Sequence, residues 1–342
     1  MHKKYLKIPY VLAALIFAAS MFYTLPYYIS KPGMAKELEP IIEVEGGHKE
    51  EGSFMLTTVR MGKANIYSYL LAKFSKYQEI YPVENILRKG ESEHDYNTKQ
   101  LHMMESSKTN AIEAAYKKAG IPVEYKYKGV YVMNIVPGMP AEGKLETGDR
   151  LMSVDGKNLK SLDELLSRLA AKKAGDSVDL EYVRKGKRHK VNLVLKPFKE
   201  LPEKAGIGIE PVDDREIIVN PKVNVKTDEI GGPSAGLMFA LEIYNQLTKD
   251  DLTKGYKIAG TGTLSDGNVG PIGGIEQKIV AADKAGADYF FAPNENDAKD
   301  SNYRAAVKTA KDIGTEMVIV PVDTFDEAVA YLENLKPKKG KG

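Results

Sequence analysis

Gly231-Gly232-Pro233-Ser234-Ala235-Gly236 and Gly273-Gly274-Ile275-Glu276-Gln277-Lys278 stand at the two ends of the most informative stretch of the 342-residue chain, Asp228 to Ala282. The first hexapeptide satisfies G-x-S-x-G through Gly232, Ser234 and Gly236, a pattern in which a histidine further along the chain takes the serine proton. All five histidines, His2, His48, His94, His102 and His189, precede Ser234, and there is no cysteine. In the C-terminal third, the base for Ser234 must therefore be Lys, Asp or Glu. A lysine serves only as the neutral amine. In water, with a pKa of about 10.4, it is almost wholly charged at neutral pH, so it has to be buried.

Lys278 is placed for burial. On a helix of 3.6 residues per turn running from Ile275 to Gly286, Ile275, Ile279, Ala282 and Ala285 form one arc, and Lys278 falls inside it. Lys284 falls on the opposite arc with Glu276, Gln277 and Asp283. Desolvation on the apolar side favours the neutral amine. On the other side of the pair, Leu237 to Leu247 reads as a largely buried helix whose first turn begins near Ser234. Its unpaired N–H groups around Gly231, Gly232, Pro233 and Ala235 are the expected oxyanion site. Alone, a serine in a glycine-rich turn is usually a helix cap, and a lysine on an apolar face usually snorkels to water.

Taken together, Gly-Pro-Ser-Ala-Gly, then Thr261-Gly262, then Pro271-Ile272-Gly273-Gly274 and a lysine four residues on, resemble the proteolytic domain of the Lon protease family from about Pro221 to Leu335. The resemblance implies a Ser–Lys dyad at Ser234 and Lys278, 44 residues apart, with Thr261 supporting the lysine. It also leaves open a homo-oligomer, since such domains often form hexameric rings.

The rest of the chain sets the context. Forty-nine basic and 47 acidic residues nearly cancel, leaving +2, so no nucleic-acid footprint is expected. Without cysteine there are no disulfides or thiolate metal sites. His94 and His102, eight apart with no third histidine nearby, do not make a metal site, and neither a metal nor another cofactor is expected. Lys3, Lys4 and Lys7 precede Ile8–Ser30, 23 residues without a charge. This reads as a single-pass transmembrane helix with a cytoplasmic N-terminus and an extracytoplasmic catalytic domain. The run is longer than the apolar part of a cleavable signal peptide. Residues 41–45 and Ser53–Val59 are strand-like and are expected to join the sheet of the catalytic domain across an inserted module. Ile66–Glu79 and Asn97–Ala119 read as helices.

From Ile121 to Leu195, short strands surround one helix, Ser161–Ala171. Val130 to Val136, Pro140-Ala141, Gly148-Asp149, Leu151 to Val154 and Asp155-Gly156 follow a pattern similar to that of bacterial-protease PDZ domains, which bind an extended peptide as an added strand beside a helix. The resemblance places a carboxylate-binding loop at Tyr127, Lys128, Gly129 and Val130, and pocket residues at Leu162, Leu165 and Leu166. Gly138 to Leu145 nearly reads as a phosphate-binding loop. It is rejected because Leu145 replaces the hydroxyl that would hold Mg²⁺, Pro140 interrupts the loop and no helix follows.

The expected fold is α+β. Its parts are an N-terminal transmembrane helix (1–33), strands and helices packing on the protease domain (34–120), an inserted PDZ module (121–196), a Lon-type proteolytic domain (197–335) and a basic disordered tail (336–342). The expected activity is that of an ATP-independent, membrane-anchored serine endopeptidase. It would cleave extracytoplasmic peptides or flexible protein segments selected by the PDZ module. A catalytically idle, membrane-tethered PDZ scaffold is the alternative.

Overall fold

The computed structural model describes residues 7–227 and 230–339. The fold is mixed α+β, and the chain divides into two compact units. One comprises the residues up to 42, 48–89 and those from 234 onward; the other comprises 43–47 and 90–233.

The first unit is built on a six-stranded sheet, in the order Val318–Val322, Tyr289–Pro293, Lys257–Gly260, Ser53–Asn65, Thr24–Glu37, Glu79–Pro82. Neighbours are parallel as far as Ser53–Asn65 and antiparallel beyond it. Strand side chains alternate between faces. Met55, Ala259, Phe290 and Ala292 pack with the lysine helix Ile275–Lys284 and with Asn302–Ile313. On the opposite face, Phe291 meets Tyr331 of helix Phe325–Glu333 edge-on at 5.7 Å. Gly260 lies so close to the serine helix, Gly236–Leu247, that a Cβ there would come within 2.5 Å of Met238 Sδ. The serine helix is apolar on nearly every side and buried along most of its length, as its composition requires.

At the N-terminus the structure departs from the expected membrane span. Among the described residues the first helix is Lys7–Phe22, 16 residues, or about 24 Å at 1.5 Å per residue, against a hydrocarbon core of about 30 Å. Among the described residues, no helix is long and apolar enough to cross a membrane. The single-pass anchor, and the localisation drawn from it, are therefore not supported. The apolar run is divided by its own sequence. Pro26 cannot donate within a helix, and from Thr24 the chain becomes a strand paired with Ser53–Asn65, with Tyr28, Ile29 and Ser30 buried in protein.

Three further expectations change in detail. Ser53–Val59 joins the catalytic sheet beside Lys257–Gly260, as the sequence suggests, but Ile42–Val44 pairs with Val223–Val225 instead. The helix from Ile66 stops at Phe74, and Glu79–Pro82 is a strand. The basic tail is docked as far as Lys338, whose N–H donates to Lys254 O at 2.9 Å and whose ammonium pairs with Asp288.

The second unit holds an antiparallel sheet in the order Ile209–Ile218, Glu124–Ile135, Arg150–Val154, Ser177–Arg184, Lys187–Val194. Val130, Leu151, Leu165, Val178 and Leu193 form its core beneath the helix Leu162–Ala170. Ser161 caps that helix by accepting the Glu164 N–H. This sheet continues beyond residue 196, because Ile209–Ile218 pairs along the whole length of Glu124–Ile135. A long helix, Glu93–Lys118, starts in a capping box of Ser92 and Asp95. Its His102 ring stacks on Tyr131 at 3.7 Å, and its Tyr116 hydroxyl donates to Pro221 O at 2.7 Å.

Phe54, wholly buried in the catalytic sheet, is a test of this packing. Phe54→Ala is expected to lower the unfolding free energy of its unit by about 3–5 kcal/mol in urea denaturation, the usual range for truncating a core phenylalanine. A loss below about 1 kcal/mol would mean that the sheet is not packed as described.

Candidate active site

The central strand Lys257–Gly260 runs out into Thr261 and Gly262, and the site is built at this carboxyl end. Thr261 N–H donates to Phe291 O at 3.1 Å, extending the strand pairing. Gly262 N–H donates to Ser234 O at 2.9 Å, and Leu237 N–H donates to Gly262 O at 3.2 Å. These bonds tie the first turn of the serine helix to the strand end. A side chain at Gly262 would break the arrangement, because a Cβ there would come within 2.7 Å of Val269 Cγ1.

From the other face comes the lysine helix, preceded by Gly274 in the left-handed region at φ 71°. A Cβ at Gly274 would also meet Val59 Cγ1 at 2.6 Å, so both conformation and space call for glycine. Lys278 lies in the first turns of this helix, and only 2% of its surface is exposed. Its Nζ is 2.7 Å from Ser234 Oγ and 2.8 Å from Thr261 Oγ1. The structure therefore brings Ser234, Lys278 and Thr261 together.

The directions of these bonds follow from one more contact. Thr261 donates its hydroxyl proton to Ser234 O at 3.0 Å, which leaves Oγ1 to the lysine only as an acceptor. A neutral amine carries two N–H bonds and one lone pair. With one N–H held by Thr261, the lone pair can be turned to the Ser234 hydroxyl. Burial pushes the Lys278 pKa down from 10.5 to about 7.

The expected oxyanion residues separate. Gly232, at φ 90°, donates its N–H to Gln100 O at 2.9 Å and is thereby engaged; Pro233 has no N–H. Gly231 packs against Gln100. Of the four residues named from the sequence, Ala235 is the one that follows Ser234 and whose amide lies at the start of the serine helix. Asp266 sits at φ 49° in the turn of the hairpin 263–270, with a turn role. Asp228 lies outside the described residues.

The PDZ residues also separate. Lys128, Gly129 and Val130 belong to Glu124–Ile135, which has Ile209–Ile218 on one side and Arg150–Val154 on the other. At Val130 both sides are taken, by Asp213 and Leu151. No strand can be added there, and Val130 and Leu165 are wholly buried core residues. Leu162 is partly buried, and Leu166 is 48% exposed. One edge of the sheet is Lys187–Val194; the other is Ile209–Ile218, entered through Gly206-Ile207-Gly208 with Gly208 at φ 80°. The helix Leu162–Ala170 packs beside this strand, and Asp213 on the strand accepts the Leu162 N–H at 2.6 Å. Sequence reasoning missed this edge. The available signal was the pair of glycines in Gly206-Ile207-Gly208-Ile209, which marks the chain's entry into that strand.

The site is thus a buried amine held against a serine hydroxyl at the end of a parallel strand. Residues 118–195 match the PDZ domain family and residues 204–333 the Lon protease (S16) C-terminal proteolytic domain. The chain therefore carries a PDZ domain and a Lon-type serine proteolytic domain. Lon protease of Mycoplasma mycoides subsp. mycoides SC is 29% identical over 145 residues, covering 41% of this chain and 16% of that protein. Lon protease of Campylobacter concisus is 35% identical over 98 residues, covering 29% and 11%. The matched part is thus a small fraction of these relatives. Among solved structures, the PDZ domain of the SdrC-like protein from Listeria monocytogenes is 34% identical, covering 25% of this chain and 90% of that one, with a TM-score of 0.24.

The lowered pKa of Lys278 provides a test of its role. The rate at which an activated peptide ester acylates Ser234 is expected to rise with pH through about 7 and level off above, because only the neutral amine takes the proton. A midpoint near 10 would show a solvated, charged Lys278. The same shift bears on stability. Between pH 7 and 10.5 the native state binds fewer protons here than the unfolded chain, so the contribution of this group to stability rises with pH across that window.

Proposed function

We propose that the chain is a serine endopeptidase that hydrolyses peptide bonds without nucleotide, using Ser234 as nucleophile and Lys278 as general base. The observation that carries this reading is the Nζ–Oγ distance of 2.7 Å with the lysine almost wholly buried.

As Ser234 Oγ bonds to the peptide carbonyl carbon, its proton passes to Lys278 Nζ and the carbonyl oxygen becomes an oxyanion, stabilised by the amides of Ser234 and Ala235. The C–N bond then breaks, and the Lys278 ammonium gives its proton to the departing amine. The result is an acyl ester on Ser234 and a neutral lysine. A water molecule repeats the cycle: it loses a proton to Lys278, attacks the ester, and Oγ leaves with that proton. Thr261 aims the amine throughout. Hydrolysis by this route needs only water, and substrates with exposed, flexible segments need no unfolding.

In the same reading, extended segments add as a strand along Ile209–Ile218, with Leu162 and Leu166 of the adjacent helix facing the added strand. Main-chain pairing gives such a site affinity for any extended segment, and the helix residues give it selectivity.

Two measurements test this. In nucleotide-free buffer, the purified protein is expected to cut an unstructured protein, while Ser234→Ala and Lys278→Ala reduce cutting by at least ~10³, the usual scale for loss of a nucleophile or its base. Equal cutting by all three would refute the dyad. Leu166→Glu is expected to raise KM for a long substrate several-fold while leaving a short peptide unaffected. Equal effects on both would remove the edge strand from substrate selection.

A further inference from the structure

The long helix Glu93–Lys118 lies, all but its last residue, outside both matched domains, yet it holds the chain immediately before the nucleophile. The Gln100 carbonyl takes the Gly232 N–H, and a Cβ on Gly231 would come within 2.9 Å of Gln100 Cβ, an approach only glycine allows. Further along the same helix Ser107, 3% exposed, donates its hydroxyl to the Pro233 carbonyl at 3.0 Å. A serine inside a helix commonly turns back to its own backbone; Thr109 does so, donating to Glu105 O at 3.1 Å. Ser107 instead reaches outward to a residue 126 positions away in the chain.

The atom it reaches is significant. The Pro233 carbonyl belongs to the same peptide group as the Ser234 N–H. A trans peptide is rigid and planar, with C=O and N–H pointing in opposite directions. A bond that fixes one end of the group therefore aims the other. The proline ring already locks its φ, so the rotation left to this peptide plane is the one that the Ser107 bond restrains.

We propose that Ser107 is a positioning residue for the reaction: by holding the Pro233 carbonyl it aims the Ser234 amide at the oxygen that becomes negatively charged during acyl transfer. The Gln100 carbonyl likewise holds the Gly231–Gly232 peptide, two links before Ser234. This deepens the Ser–Lys reading and rests on it.

Ser107→Ala is expected to lower kcat for a peptide amide about tenfold, a fraction of the 10²–10³ that removal of an oxyanion donor costs, with KM within about twofold. Affinity for a peptide boronate, whose tetrahedral adduct places an oxygen where the oxyanion forms, is expected to fall by the same factor. The midpoint of the pH profile stays at about 7, because Lys278 is untouched. Gly231→Ala, which drives the segment away from Gln100, is expected to give the same pattern independently. Unchanged kcat and boronate affinity in both variants would overturn the proposal, as would losses carried by KM or by a shifted pH midpoint. Wild-type activity in Ser234→Ala would instead remove the Ser–Lys reading, and this proposal with it.

Discussion

The burial of one amine is the constraint on which the catalytic unit depends. Lys278 can act as a base only if its Nζ is buried, and a buried amine needs hydrogen-bond partners inside the protein. Thr261 and Ser234 meet that need at 2.8 and 2.7 Å. Removing either hydroxyl therefore changes more than a contact, since it leaves a buried amine with an unmet bond and alters the balance between its charged and neutral forms.

The sheet makes this possible by bringing helices from both faces to the carboxyl end of one strand, a common place for sites in open α/β sheets. Met55, Ala259 and Phe290 fix the lysine helix on one side, while the close approach of Gly260 to Met238 fixes the serine helix on the other. Thr261 is then less a separate catalytic element than the continuation of the strand that both helices rest on. The two glycines at 262 and 274 mark where backbone must pass where no side chain fits.

How much of this was legible in the sequence follows from the range of each interaction. The position of Lys278 was legible because a helix repeats every 3.6 residues and places it on the face of Ile275, Ile279 and Ala282; that its amine stays buried there and does not snorkel is set by the fold. Thr261 carries no such periodic signal, and only the resemblance pointed to it. The N-terminal run was legible as apolar, but hydropathy does not distinguish a membrane span from a short helix followed by a buried strand; Pro26 was the local sign of the break. The edge strand Ile209–Ile218 escaped because its partner, Glu124–Ile135, lies far back in the chain, and pairing at that distance leaves no local pattern. Ser107 was illegible for the same reason: in sequence it is a polar residue in a helix, and only the fold sets it against Pro233. The P-loop-like stretch shows the reverse case, where a local pattern matched and its chemistry did not.

The most direct measurement of the central claim is the titration of Lys278 itself, followed by NMR of protein labelled at the lysine side-chain carbons, with Lys278→Arg identifying the resonance. The account predicts a midpoint near 7 in the folded protein, set by burial. A midpoint near 10 would mean that Lys278 remains an ammonium at neutral pH, and that whatever proton Ser234 loses goes elsewhere.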